Sequence, residues 1–68
     1  MRSLRGAEFC KILEKHGWVL ARVSGSHHVY VKKGFNTRLS VPVHGNRDLK
    51  KGLLCAMAKL ADIKSEDL

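Results

Sequence analysis

The scarcest thing in the middle of this chain is negative charge: between Glu14 and Asp48 there is no carboxylate at all. The same interval holds Lys15, Arg22, Lys32, Lys33, Arg38 and Arg47, so the centre of a 68-residue chain of net charge +7 is electropositive throughout. Without an acid it offers no carboxylate general base and no acidic metal ligand, and chemistry there has to run on histidine. A surface of that sign suits phosphates, the alternative being a solvated basic face that serves solubility alone. Cysteine is scarce too. Cys10 and Cys55 lie far apart and match no CxxC or zinc-ribbon spacing, which excludes a disulfide framework and reads as two reduced, semi-buried small hydrophobes in a cytoplasmic protein. No apolar run approaches the roughly 20 residues of a membrane span, and the opening MRSLRGAEFC lacks the apolar stretch of a signal peptide. The length suits one domain, residues 1–68, near the lower limit for a self-sufficient core, and excludes a large catalytic machine.

What is present reads as helix, three strands, helix. Ser3 can cap a first helix over about residues 4–16, where Phe9, Ile12, Leu13 and His16 recur at spacings of three and four and Gly17 supplies a stop. WVLARV is β-branched and aromatic and reads as a first strand. After Ser24-Gly25-Ser26, Val29 and Val31 alternate with Tyr30 and Lys32 in a second strand, and Lys33 to Thr37 carry the Gly and Asn of a hairpin turn. Leu39, Val41 and Val43 alternate with Arg38, Ser40, Pro42 and His44 in a third, and Pro42, lacking a ladder donor, marks a sheet edge or the strand's end. Asp48 or Asn46 caps a second helix, LKKGLLCAMAKLA, with Leu49, Leu53, Ala56, Met57 and Leu60 on its apolar face. Gly52 inside it suggests close approach of a neighbouring backbone. Ser65 and the acids after it suggest one further helical turn. Short loops favour an antiparallel meander with both helices on one face, an α+β arrangement of αβββα order like that of double-stranded-RNA-binding domains. Fold order alone establishes no function.

Four histidines are the candidates for chemistry. His16 ends an amphipathic helix, where an imidazolium suits the dipole, and reads as structural. His44 follows the Pro42 strand at the start of a basic stretch and touches phosphate or simply occupies a loop. His27 and His28 follow Gly25-Ser26, where backbone can approach a ligand closely and the serine hydroxyl and loop amides can donate to an anionic oxygen. Strand parity puts His28 with Tyr30 and Lys32 on the polar side and favours it as the exposed member. A zinc site is disfavoured, because adjacent strand histidines point to opposite sides and no Cys, Asp or Glu lies nearby in sequence.

GWVLARVSGSHHVYVKKG, followed by LSVPVHGNRDLKKGLL, resembles the small HicA ribonuclease toxins of bacterial and archaeal toxin–antitoxin modules. That family's hallmarks are a Gly-Trp or Gly-Phe strand, a Gly-Ser-His turn, a Val-Pro-x-His segment and a helix opening with Leu-Lys-x-Gly, and the likeness covers nearly the whole chain. The resemblance implies a double-stranded-RNA-binding-like fold, cleavage of mRNA, and neutralisation by a HicB-like antitoxin. It implies that the histidine directly after Gly-Ser, His27, is catalytic, with His28 the second candidate. Many relatives carry a Lys-His-Pro later in the same strand; here Val31-Lys32-Lys33-Gly34 stands instead, so any help from that later histidine comes from elsewhere or is absent.

RNA carries its own nucleophile, the 2′-hydroxyl, so a nuclease that uses it needs neither metal nor small-molecule cofactor. One imidazole can take the hydroxyl proton or protonate the leaving 5′-oxygen. Ser26, His28, Arg22, Lys32, Lys33, Arg38 and His44 are the candidates to hold RNA, and Tyr30 to stack on a base or donate its hydroxyl. The expected product is a 2′,3′-cyclic phosphate. The competing class is a non-catalytic RNA-binding module of the same fold. A DNA-binding accessory protein fits less well, because the second helix is built for packing.

Overall fold

The first helix, α1, spans Gly6–Lys15, and the chain then forms β1 (Val19–Ser24), β2 (His27–Val31), β3 (Leu39–Pro42), α2 (Lys51–Leu60) and a short 3-10 turn at Ser65–Asp67. The computed structural model describes residues 3–68, so the first two residues of the expected domain lie outside it. The strands form one antiparallel sheet in the order β1-β2-β3, which is the expected αβββα meander.

α1 starts later than Ser3 predicts. Leu4 is fully buried and its carbonyl accepts the Leu49 N–H at 2.7 Å, while Arg5 bridges to Asp48, so this stretch is held extended. Arg5 becomes the cap residue, and its N–H donates to Oε1 of Glu8 at 2.9 Å. At the other end Gly17, at φ +91°, gives its N–H to Glu14 O while Trp18 gives its own to Leu13 O, the paired bonds of a Schellman stop. α2 ends on the same device with an aspartate in the glycine position: Asp62 is at φ +59°, and Asp62 and Ile63 donate to Lys59 O and Ala58 O.

The core lies on one side of the sheet. Tyr30 pairs with Leu39 and His28 with Val41, so these side chains share a face. Tyr30, Leu39 and Val41 are buried there against Phe9 and Leu13 of α1 and Leu54 and Met57 of α2. Trp18 and Phe35 close one end, their ring centroids 5.1 Å apart.

α2 departs from expectation in three ways. Its cap residue is Lys50, with no side-chain hydrogen bond, because Asp48 and Leu49 are held by Arg5 and Leu4. Its buried stripe is Leu54, Met57, Ala58 and Ala61, whereas Leu53, Ala56 and Leu60 are exposed. Apolar residues occur on both faces of this helix, so periodicity alone does not choose between them. Finally, a Cβ at Gly52 would meet nothing, and the close approach occurs at Gly6, where a Cβ would collide with the carbonyl oxygen of Pro42.

Tyr30 is not available to a nucleic acid. It is 1% exposed, and its hydroxyl donates to Oε2 of Glu14 at 2.7 Å. Burial first, and the bond to Glu14 second, push its phenol well above the ordinary range, so it remains a neutral donor. The reading of Tyr30 as a base-stacking residue is therefore corrected. Cys10 is buried in the same cluster, and burial raises its thiol.

Two expectations follow. Gly52→Ala should raise the melting temperature, by up to about 1 kcal/mol of added stability, whereas Gly6→Ala should cost about 1–3 kcal/mol or prevent folding. Equal melting temperatures for the two variants would contradict this packing. Tyr30→Phe should lose about 1 kcal/mol of stability in denaturant titrations while leaving RNA binding unchanged; weaker RNA binding at unchanged stability would restore Tyr30 to the interface.

Candidate functional site

With Tyr30 inside, the opposite side chains of β2 face out. His27 is level with Ser24 and Pro42, and Val29 with Arg22 and Ser40, so these six residues tile the open face in two rows. Val31 and Val19 continue the tiling at the far end. Val19 and Arg22 share a face although they are three positions apart, because the register shifts between Leu20 and Arg22 and leaves Ala21 as the extra residue of a bulge. Simple alternation therefore fails in β1.

Ser24 pairs with His27, which reduces the β1–β2 connection to Gly25 and Ser26. Gly25 at φ +59° takes the first central position of a two-residue turn of type II′, where a side chain would be strained. No atom outside its neighbours lies within 4 Å of where its Cβ would be, so the turn is open on that side. The Ser26 carbonyl accepts the Val43 N–H at 2.7 Å, which fastens the segment leading to His44 beside the turn. The geometry thus gathers Ser26, His27, His28 and His44 at one end of the sheet.

His27 is exposed, and its Nδ1 lies 3.2 Å from Oγ of Ser40. If Nδ1 carries the proton and donates to the serine, Nε2 is left as a base facing solvent; in the other tautomer the hydroxyl donates and Nε2 carries the proton. Ser40 was not among the candidate residues. Its signal was its alternation with Leu39 and Val41, which becomes useful once the hairpin register sets it beside Val29. His28 is half-buried on the helix side, level with Val23 and Val41. The parity argument for His28 is corrected: the side it shares with Tyr30 is the core side.

The cations divide. Arg22 stands on the open face in the row next to His27, and Arg38, exposed just before β3, shares the parity of Ser40. Lys33 is exposed at the opposite end of β2, beyond four residue steps of about 3.4 Å each from His27. Lys32 is committed elsewhere. Its Nζ donates to the His16 carbonyl at 2.6 Å and lies 5.3 Å from the centre of the Phe35 ring, so it closes the end of α1 and is removed from the RNA-holding set. His16 is half-buried with Nδ1 2.9 Å from Ile12 O, in keeping with a structural role. His44 and Arg47 are exposed beyond the end of β3.

Among the described residues no group of three or more His, Cys, Asp or Glu is arranged to hold a metal ion, and no helix is long and apolar enough to cross a membrane.

No individually curated protein matches the chain. A family model does, over residues 6–63, described as the HicA toxin of bacterial toxin–antitoxin. That span runs from the first residue of α1 to the buried Ile63 and takes in the Gly25-Ser26-His27 turn, Pro42 and His44. A chain matched over residues 6–63 of its 68 belongs to the HicA family of bacterial toxin–antitoxin toxins.

Proposed function

We propose that this toxin is an endoribonuclease that cuts mRNA by transesterification, with His27 as its catalytic residue. The observation that carries the reading is an exposed imidazole held at 3.2 Å by a serine hydroxyl on a sheet face where Arg22, Ser24, Val29, Ser40 and Pro42 surround it, with no acid among them. In the first step the 2′-oxygen of a ribose attacks the adjacent phosphorus and its proton passes to Nε2 of His27. The bond from phosphorus to the 5′-oxygen breaks, and that oxygen takes a proton from the imidazolium or from water. The products are a 2′,3′-cyclic phosphate and a 5′-hydroxyl. Arg22 bears the charge that builds on the phosphoryl oxygens, Arg38 holds the RNA strand further along the sheet, and Ser40 acts as a positioning residue for the imidazole.

An antitoxin of the HicB type is the proposed inhibitor. Acidic surface laid on the open face would cover the imidazole and neutralise the cations in one contact, which requires no change of shape in the toxin.

Separate alanine variants test the assignment. His27→Ala should lower the rate of cleavage of a purified messenger by about 10²- to 10⁴-fold and abolish growth arrest, while His28→Ala keeps cleavage within a few-fold and loses some stability instead. Ser40→Ala should slow cleavage about fivefold, the worth of one hydrogen bond, and shift the pH–rate profile. RNA retained without cleavage by the wild-type protein would favour the binding-module reading, and full activity in His27→Ala would remove His27 from the mechanism.

A further inference from the structure

An open groove of about 340 Å³ runs between the end of β3 and the start of α2, lined by Pro42, His44, Arg47, Asp48, Leu49, Lys50 and Leu53. We propose that it is a nucleotide subsite, which seats the base and the outer phosphate of the nucleotide next to the scissile bond; the inference rests on the ribonuclease reading for its place in the reaction.

Three observations fix the occupant. The first is continuity: Pro42 lines the groove and is also the cross-strand partner of His27, so the groove borders the strand pair that carries the imidazole. The second is its mixed chemistry. Pro42, Leu49 and Leu53 give an apolar wall for the flat face of a base. His44, Arg47 and Lys50 give donors for a phosphate, and Asp48 is, among the described residues, the acid on the wall and an acceptor for N–H groups on a base edge. The third is Leu53. It lies off the buried stripe of α2 and is 39% exposed, so folding gives no account of a leucine there, whereas the groove does. A volume at the low end of the roughly 300–1,000 Å³ of small-molecule sites suits one nucleotide rather than a helix or strand of protein.

Occupancy of this site would set which nucleotide lies beside the cut. Cleavage preference would then be decided at Asp48 and Leu53, away from the histidine that performs the chemistry.

The test uses the purified full chain and the four ribonucleoside 3′,5′-bisphosphates as probes, read by amide NMR shifts. Shifts centred on Leu49, Lys50 and Leu53, with one base preferred, are expected. Leu53→Glu, at a position exposed enough to keep the fold, should weaken that binding by about tenfold, the worth of one base stack, and raise KM for RNA with kcat and its pH profile unchanged. Asp48→Asn should alter the base preference with melting temperature little changed. Shifts that avoid the groove, or a folded Leu53→Glu that binds and cleaves like the parent, would overturn the proposal. So would a Leu53→Glu that loses only its neutralisation by the antitoxin, since the groove would then be a protein contact. If the wild-type chain binds the bisphosphates at the groove but cleaves no RNA, the ribonuclease reading fails and the nucleotide site stands.

Discussion

The side on which Tyr30 lies decides everything else about the sheet. Its ring is enclosed by the helices and its hydroxyl is satisfied by Glu14, so β2 has one permissible face inward. A one-residue slip would expose the tyrosine, leave a carboxylate without its donor and bury His27 and Val29 in its place. The same burial that stabilises the core therefore aims the imidazole. Ser24 opposite His27 and Tyr30 opposite Leu39 leave β2 no freedom to slide against either neighbour.

A core this small has to be closed at its ends by hydrogen bonds, and the chain uses backbone and basic side chains for that. Gly17 and Asp62 terminate the two helices by the same left-handed turn, and Lys32 covers the carbonyl of His16. Asp62 does so at a cost that glycine would avoid. Lys32 shows how charge counts mislead: of the cations in the acid-free interval, it neutralises a helix end instead of meeting a ligand. What remains near the turn is Arg22 on the open face with His44 and Arg47 beyond β3, a smaller and better-placed set than a net charge of +7 suggests.

Much of the fold was legible because its signals are local. Gly17 as a stop, the Ser-Gly-Ser break, Pro42 at the end of an edge strand and a last turn at Ser65 each depend on a few neighbouring residues, and each stands as read. The failures share one cause, which is that tertiary contacts decided between locally equal options. α2 is apolar on two sides, and only packing selects Leu54, Met57 and Ala61 over Leu53 and Leu60. Ser3 and Asp48 are good caps in isolation, but the pairing of residues 4–5 with 48–49 holds both segments extended. The close approach at Gly6 has no local signal, since nothing in the sequence places the Pro42 carbonyl against α1. At the site, tyrosine's amphipathic character made the polar side of β2 ambiguous, so alternation pointed to His28 where the Gly-Ser-His motif pointed to His27. The bulge at Ala21 hid Arg22's place for the same reason: register is a property of two strands.

The single-layered sheet links the proposed chemistry to its proposed control. A sheet covered on both faces would give more stability, but it would leave no flat surface wide enough for a nucleic acid strand. Here the uncovered face carries the imidazole, its serine and Arg22, with Val19, Val29 and Val31 between and beside them. Those valines are of little use to phosphate, yet they offer apolar area both to bases and to a protein partner. A toxin whose imidazole and nearest cation lie on one sheet face is switched off by whatever covers that face. Inhibition then needs affinity alone, with no second conformation of the toxin, and a domain near the minimum size for folding has few kilocalories to spare for a second conformation.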